Sequence, residues 1–186
     1  MVQERTRKIV ITGVLSAISI FLGITRLGFI PWITGASLTI MQVPVIIGAI
    51  LEGPIVGLAI GMIFGVFSLI QAAVAPTGPA DVWFTNPLLS VLPRLFIGPV
   101  SWIIFRLLER WKFPALIISG AIGSLTNTVL VLSMIGLLGY LPWVAIPAII
   151  VGNGLPEAVA SAVLVVGVVS IWQQLERNDK KKGSKL

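Results

Sequence analysis

The sequence contains no cysteine and no histidine, and this absence excludes several classes of function. Without these residues the chain forms no disulfides, carries no thiol nucleophile and lacks the common zinc ligand sets. The usual general base for chemistry near neutral pH is also missing. Neither a glycine-rich phosphate loop nor a nucleophile–base pair is present. We therefore expect a protein that is not an enzyme and that holds no metal and no cofactor.

Charge is scarce as well. Of the 186 residues only 11% are charged, whereas 56% are hydrophobic. A soluble domain carries about 25% charged residues, so this chain has too few to cover a surface exposed to water. The composition predicts an all-α integral membrane protein.

Apolar stretches of roughly the length of a bilayer crossing recur along the whole chain. They predict a bundle of six spans, at about Lys8–Thr25, Leu38–Leu51, Pro54–Ala73, Asn86–Leu108, Pro114–Leu138 and Pro142–Leu175. The second span is short and ends at the helix-stop signal Glu52-Gly53-Pro54. The sixth is longer than one crossing, so it is expected either to bend near Pro147 or Pro156 or to project into the cytosol.

Basic residues predict which way the bundle faces. The side with both chain ends holds Arg5, Arg7, Lys8, Arg106, Arg110, Lys112, Arg177, Lys180, Lys181, Lys182 and Lys185. The opposite loops hold only one basic residue, Arg26. Positive residues accumulate on the cytoplasmic side, beside anionic membrane lipid, so we expect a multi-pass cell-membrane protein with both termini cytoplasmic. This distribution argues against a nucleic-acid partner. We expect one domain, residues 1–176, and a basic, disordered tail, residues 177–186.

Polar side chains inside the spans are the strongest functional signal, because burying them is costly unless they are paired. The candidate ligand-binding residues are Gln42, Asn86, Arg94, Asn127, Asn153 and Glu157. Asn153 and Glu157 are one turn apart and share a face of the sixth span. The set predicts a pocket open to the outside. The alternative is structural: Arg94 pairs with Glu157 between helices, and the asparagines satisfy broken helix ends.

Two further patterns each allow a structural and a functional interpretation. Trp32 and Trp83 lie at the predicted outer boundaries, where they form an aromatic belt or act as a lid that stacks on a ligand. Gly13 and Ala17 form a small-xxx-small pair on the first span. Such a pair packs against another helix of the chain or offers a smooth face to a partner protein.

Three segments resemble the substrate-binding (S) components of energy-coupling factor (ECF) transporters. They are Trp83-Phe84-Thr85-Asn86-Pro87-Leu88-Leu89-Ser90-Val91-Leu92-Pro93-Arg94, Gly123-Ser124-Leu125-Thr126-Asn127-Thr128 and Thr39-Ile40-Met41-Gln42-Val43-Pro44-Val45-Ile46-Ile47-Gly48-Ala49. The resemblance covers nearly the whole chain, including its size and number of spans. Within the group the chain is most similar to the pantothenate S components.

The resemblance implies a six-helix fold that holds one vitamin in an outward-facing pocket, capped by the loops after spans one and three. It also implies partners: a transmembrane coupling protein and two cytosolic ATPases. Family members dock on the coupling protein through an Ala-x-x-x-Ala face, whose spacing Gly13 and Ala17 occupy here.

Pantothenate has a carboxylate, an amide and two hydroxyls. Arg94 is suited to its carboxylate, and Asn127, Asn153 and Gln42 are suited to the other groups. Folate and a cobamide precursor are alternative ligands. Two hypotheses from other classes remain open at this point: a proton-coupled secondary carrier that uses Glu157, and a structural subunit with no ligand.

Overall fold

The computed structural model describes residues 2–31, 37–76 and 78–183. Its helices and strands, in chain order, are α1 (Val2–Ile24), β1 (Phe29–Pro31), β2 (Ser37–Thr39), α2 (Val43–Glu52), α3 (Pro54–Val74), a 3-10 helix (Asp81–Thr85), α4 (Pro87–Ser90), α5 (Leu92–Leu108), α6 (Lys112–Leu137), α7 (Ile146–Ile149), a π-helical turn (Ile150–Gly154) and α8 (Leu155–Gly183). The predicted lid residue Trp32 lies outside the described residues.

Five helical segments in the described part of the chain are long and apolar enough to cross a membrane. They are Val2–Ile24, Pro54–Val74, Pro87–Leu108, Lys112–Leu137 and Ile146–Glu176. The second predicted span differs: α2 has ten residues, a length of about 15 Å. That is half of a hydrocarbon core of about 30 Å. The prediction of a helix from Leu38 is therefore wrong, because Ser37–Thr39 form a strand and the helix begins only at Val43.

Helix α2 lies at the centre of the bundle. Every residue from Val43 to Ile50 is buried, and the helix contacts α1, α3, α5, α6 and α8. A helix that is apolar on all sides is stable when protein surrounds it. The short second helix is thus covered by its neighbours rather than by lipid.

Ion pairs bring three helix ends together at one end of the bundle. Arg7 near the start of α1 contacts Glu52 at the end of α2, with Nε and Oε1 2.7 Å apart. The same guanidinium contacts Glu176 of α8, with Nη2 and Oε1 2.7 Å apart. The first and last helices therefore have their terminal regions at the same end of the molecule.

Small residues bring α3 and α5 into close backbone contact. Gly57 faces Gly98, and Gly61 lies against the backbone carbonyl of Arg94. Small residues at such crossings let helix backbones approach in a membrane, where there is little hydrophobic drive for association. The contact fixes the position of the first turn of α5. The predicted helix stop at Glu52-Gly53-Pro54 is confirmed, since α2 ends at Glu52 and Gly53 has a φ of 101°.

The fourth and sixth predicted spans are interrupted. A break at Val91 separates α4 from α5, so Arg94 lies in the first turn of α5 rather than two turns inside a continuous helix. The sixth span is irregular between Pro147 and Pro156, where the backbone forms the π-helical turn. Helix α8 continues to Gly183, so most of the segment 177–186 is helical here, where the sequence predicts a disordered tail.

A small antiparallel hairpin follows α1, where the sequence predicts a plain loop. Its register pairs Phe29 with Thr39, Ile30 with Leu38 and Pro31 with Ser37. The hairpin lies at the opposite end of α2 from Glu52. Its residues Phe29 and Thr39 line a cavity at this end of the bundle.

Candidate functional site

A cavity of about 780 Å³ opens at the end of the bundle that carries the hairpin and the 3-10 helix. This volume lies within the range of about 300–1,000 Å³ that is typical of small-molecule sites. Its polar lining residues are Arg26, Thr39, Ser68, Gln71, Asp81, Arg94, Asn127, Thr128, Asn153 and Glu157. Aromatic and aliphatic side chains, among them Phe29, Phe64 and Phe84, form the rest of the wall.

Arg94 is the buried cation of the cavity, with an exposed fraction of 5%. Its Nη1 donates to the backbone carbonyl of Leu89. Its Cζ lies 5.4 Å from the ring centroid of Phe64 and 5.1 Å from that of Phe84. These distances allow cation–π attraction, which holds the guanidinium without neutralising its charge. Its Nε has no hydrogen-bond partner among the described residues, so a donor remains for an anionic ligand.

Asn127 lies near the middle of α6 and lines the same cavity. Its side chain is 6% exposed, and its Oδ1 has no hydrogen-bond partner in the part of the chain that the structure describes. A buried carbonyl oxygen without a partner is unfavourable. The atom is therefore suited to accept a hydrogen bond from an amide or hydroxyl of a ligand.

Glu157 is buried, and both of its carboxylate oxygens accept hydrogen bonds from the protein. Oε1 accepts from the Thr39 backbone N–H at 2.7 Å and from the Thr39 hydroxyl at 3.2 Å. Oε2 accepts from the Thr128 hydroxyl at 2.8 Å. Within the described residues the ion pairs are Arg7–Glu52, Arg7–Glu176 and Arg106–Glu109, and none of them involves Arg94 or Glu157. The alternative of an Arg94–Glu157 salt bridge is therefore wrong.

Asn153 lies in the π-helical turn, one turn before Glu157, and both residues line the cavity. The predicted common face of these two residues is thus observed. Single π-helical turns are frequent at functional sites because they shift the register of a helix locally. Here the turn brings Asn153 to the cavity wall.

The other predicted ligand residues do not line the cavity. Gln42 is fully buried, and its Nε2 donates to the Thr39 carbonyl and to Ser124 Oγ, at 2.8 and 3.0 Å. Asn86 caps α4, with its Oδ1 accepting from the Leu88 N–H at 3.0 Å. Trp83 stacks on Tyr140, with ring centroids 5.4 Å apart and an interplanar angle of 9°. These three residues support the structure around the site, and direct contact with a ligand in the cavity does not follow from their positions.

Several lining residues escaped prediction from the sequence. Thr39 and Thr128 hold Glu157, and Phe64 and Phe84 flank Arg94. Thr128 and Phe84 directly follow residues that were predicted, Asn127 and Trp83, so their position in the same motifs was an available signal. Thr39 stands in the same quoted motif as the predicted Gln42, so it carried that signal as well, whereas Phe64 carries none because phenylalanine is common in apolar segments.

The predicted docking pair lies away from the cavity, on the outer face of α1. Gly13 and Ala17 are both exposed, and a Cβ added to Gly13 meets no heavy atom within 4 Å. Ser16 between them is buried and faces the bundle. The pair therefore does not pack against the described part of this chain.

A family model for the substrate-specific component of ECF transporters matches residues 7–169. The chain belongs to this family. Among curated relatives, the Pantothenate transporter PanT of Leuconostoc mesenteroides subsp. mesenteroides is 35% identical over 147 residues, covering 73% of this chain and 72% of the relative. The Pantothenic acid transporter PanT of Lactococcus lactis subsp. cremoris is 26% identical over 159 residues, covering 75% of this chain and 80% of the relative.

Membership confirms the resemblance seen in the sequence. The family consists of substrate-specific components of transporters rather than enzymes. Together with the long apolar helices, this makes the S component a multi-pass membrane protein.

Proposed function

We propose that this S component binds pantothenate and delivers it to an ECF importer. The observation that carries the proposal is the buried Arg94 at the cavity wall, with one donor unpaired among the described residues. A buried guanidinium between aromatic rings attracts a carboxylate strongly, because little water competes with it. The identity with relatives named for pantothenate transport gives independent support.

The remaining groups of pantothenate match the rest of the polar wall. Asn127 and Asn153 are suited to the amide and hydroxyl groups, and the aliphatic side chains of Val131, Leu132 and Ile135 suit its methyl-bearing carbon chain. The buried carboxylate of Glu157 disfavours any ligand carboxylate beyond the one that pairs with Arg94. This arrangement favours a monocarboxylate over folate, which carries two carboxylates.

We infer that the chain crosses the membrane six times, with α2 and the hairpin together making the second crossing. The ion pairs of Arg7 support this topology, because they place the end of α2 beside the terminal regions of α1 and α8. An even number of crossings then puts both termini on one side of the membrane. The basic residues near the termini and in the loop between α5 and α6 assign that side to the cytoplasm. The cavity faces outward in this orientation.

The energy for transport comes from partners in this proposal. A transmembrane coupling protein and two cytosolic ATPases form the ECF module, and the exposed Gly13 and Ala17 on α1 are the proposed docking face for the coupling protein. Small exposed residues allow a partner helix to approach closely.

Binding to the purified protein tests the ligand. Isothermal titration with pantothenate, folate and a cobamide precursor should give high-affinity binding for pantothenate alone. High affinity for one of the other two vitamins, with none for pantothenate, would refute the assignment. The absence of binding to all three would refute the wider proposal of a vitamin-binding subunit for these classes.

Substitution of Arg94 tests the carboxylate contact. Arg94→Ala should weaken pantothenate binding by at least about 30-fold, since truncating one partner of a buried charge pair costs roughly 2–5 kcal/mol. Arg106→Ala is the matched control on the same helix, because Arg106 is exposed and pairs with Glu109 away from the cavity. Equal affinities for the two variants would contradict the role of Arg94.

A further inference from the structure

We propose that Glu157 is a positioning residue that holds the β1–β2 hairpin in place as part of the cavity wall and thereby slows release of the bound ligand. The part of this inference that concerns ligand release rests on the proposed function. The part that concerns the hairpin does not, because it follows from contacts within the chain.

The carboxylate of Glu157 joins three elements. Glu157 itself lies in the first turn of α8. Its carboxylate accepts two hydrogen bonds from Thr39 at the end of β2 and one from Thr128 of α6. We call this set of contacts the Glu157 bridge. Hydrogen bonds to a charged acceptor in a buried site are among the stronger polar contacts in proteins.

Gln42 reinforces the bridge from the other side of Thr39. Its Nε2 donates to the Thr39 carbonyl at 2.8 Å, and its Oε1 lies 3.2 Å from the Thr39 hydroxyl oxygen, whose one hydrogen is shared with Glu157 Oε1. The N–H, the carbonyl and the hydroxyl of Thr39 are therefore all bound by two side chains from outside the hairpin. This explains why Gln42 is buried and polar without lining the cavity.

The hairpin needs such an attachment. Each strand has only three residues, and an isolated two-stranded hairpin is marginally stable at best. Thr39 pairs directly with Phe29, which lines the cavity. Whatever fixes Thr39 therefore fixes this part of the cavity wall.

A direct role of Glu157 in holding an anionic ligand is less consistent with this geometry. Both carboxylate oxygens already accept hydrogen bonds from threonines, and a carboxylate repels a ligand carboxylate. The two oxygens of Glu157 are instead occupied by the backbone N–H and hydroxyl of Thr39 and the hydroxyl of Thr128.

Thiol labelling tests the hairpin without any ligand. The chain has no cysteine, so a single introduced thiol is the only one present. Leu38→Cys places it in the hairpin at a position that is 4% exposed, and Val82→Cys places a control at a position that is 52% exposed.

Adding Glu157→Ala should speed maleimide labelling at position 38 by at least about tenfold, the effect of losing one hydrogen bond to a charged group. Labelling at position 82 should not change. An unchanged rate at position 38 would overturn the bridge.

Conservative variants separate the bridge from a role of the charge itself. Glu157→Gln retains an acceptor for the Thr39 N–H and offers a donor to the Thr128 hydroxyl, so labelling at position 38 should return to within about threefold of the parent rate. Thr128→Val removes only the contact with α6 and should give an intermediate rate. A rate for Glu157→Gln as high as that for Glu157→Ala would contradict positioning by hydrogen bonds.

Ligand release provides the second readout. In stopped-flow or filter-binding measurements, Glu157→Ala should raise the dissociation rate of pantothenate by about tenfold or more, while Glu157→Gln stays near the parent value. Unchanged dissociation with faster labelling would refute the effect on release. If the parent protein binds no pantothenate, the proposed function fails, and the labelling result still decides whether Glu157 holds the hairpin.

Discussion

At the scale of single residues, two of the residues that line the cavity each carry a buried polar atom that no described residue satisfies, Arg94 Nε and Asn127 Oδ1. Leaving a buried polar atom unpaired costs about 1–3 kcal/mol, and more for a charged group. A folded chain tolerates this cost most readily where a ligand later supplies the missing partner. The two atoms therefore mark the polar end of the site.

Replacement of Asn127 by leucine tests this interpretation. Asn127→Leu removes the unpaired oxygen and keeps a similar size, so the melting temperature of the ligand-free protein should stay the same or rise. Pantothenate affinity should fall by roughly tenfold, the value of one hydrogen bond in a buried site. A thermal-shift assay with and without ligand measures both effects. A lower melting temperature together with full affinity would show that Asn127 serves the fold instead.

The sequence identified some of these residues and missed others for a clear physical reason. Arg94, Asn127, Asn153 and Glu157 stood out because charged and amide side chains are rare and costly inside apolar spans. Gln42 stood out for the same reason, yet it supports Thr39 instead of lining the cavity. Cost of burial shows that a polar side chain needs a partner, but it does not tell whether the partner is a ligand or the chain itself.

At the scale of helices and strands, the packing of α3 on α5 determines where Arg94 lies. A Cβ added to Gly98 would be 2.7 Å from the Cα of Gly57, which is backbone and has no room to move aside. Separation of these helices would displace the first turn of α5 and the guanidinium that it carries. Glycine at this crossing thus serves the site as well as the fold.

Gly98→Ala should therefore destabilise the protein and weaken binding. Overpacking of this kind costs about 1–3 kcal/mol, which predicts a clear fall in melting temperature. Gly167→Ala on α8 is the matched control, because a Cβ there meets nothing within 4 Å. It should leave the affinity unchanged and the melting temperature the same or slightly higher, because alanine favours a helix more than glycine does. Similar melting temperatures for the two variants would show that the α3–α5 crossing is not tightly constrained.

Most of the long helices were predictable from hydropathy, since five apolar segments of bilayer length reappear with ends no more than six residues from the predicted bounds. The hairpin, the start of α2 at Val43 and the break at Val91 were not. For the hairpin and α2, tertiary contacts override a continuous apolar pattern: Glu157 bonds the Thr39 backbone, and neighbouring helices cover α2. A hydropathy pattern does not contain these long-range contacts.

At the scale of the whole molecule, burial is unevenly distributed among the long helices. In α1 only 22% of the most apolar stretch is buried, against 39% to 56% in the other four. Helix α1 is thus the most peripheral, and its exposed face includes Gly13 and Ala17. The cavity and this face lie in different parts of the bundle, so ligand binding and partner docking should be separable by substitution.

Uptake measurements test this separation and the source of energy. In cells or liposomes that contain the ECF module, Gly13→Leu should abolish pantothenate uptake while the purified variant binds pantothenate with parental affinity, because a bulky side chain prevents close helix approach. Gly167→Leu is the matched control, since Gly167 is also exposed and has open space around it. Uptake by the parent protein should require ATP hydrolysis and survive collapse of the proton gradient. Uptake by this chain alone that a protonophore abolishes would instead favour a proton-coupled carrier and contradict the need for a docking face.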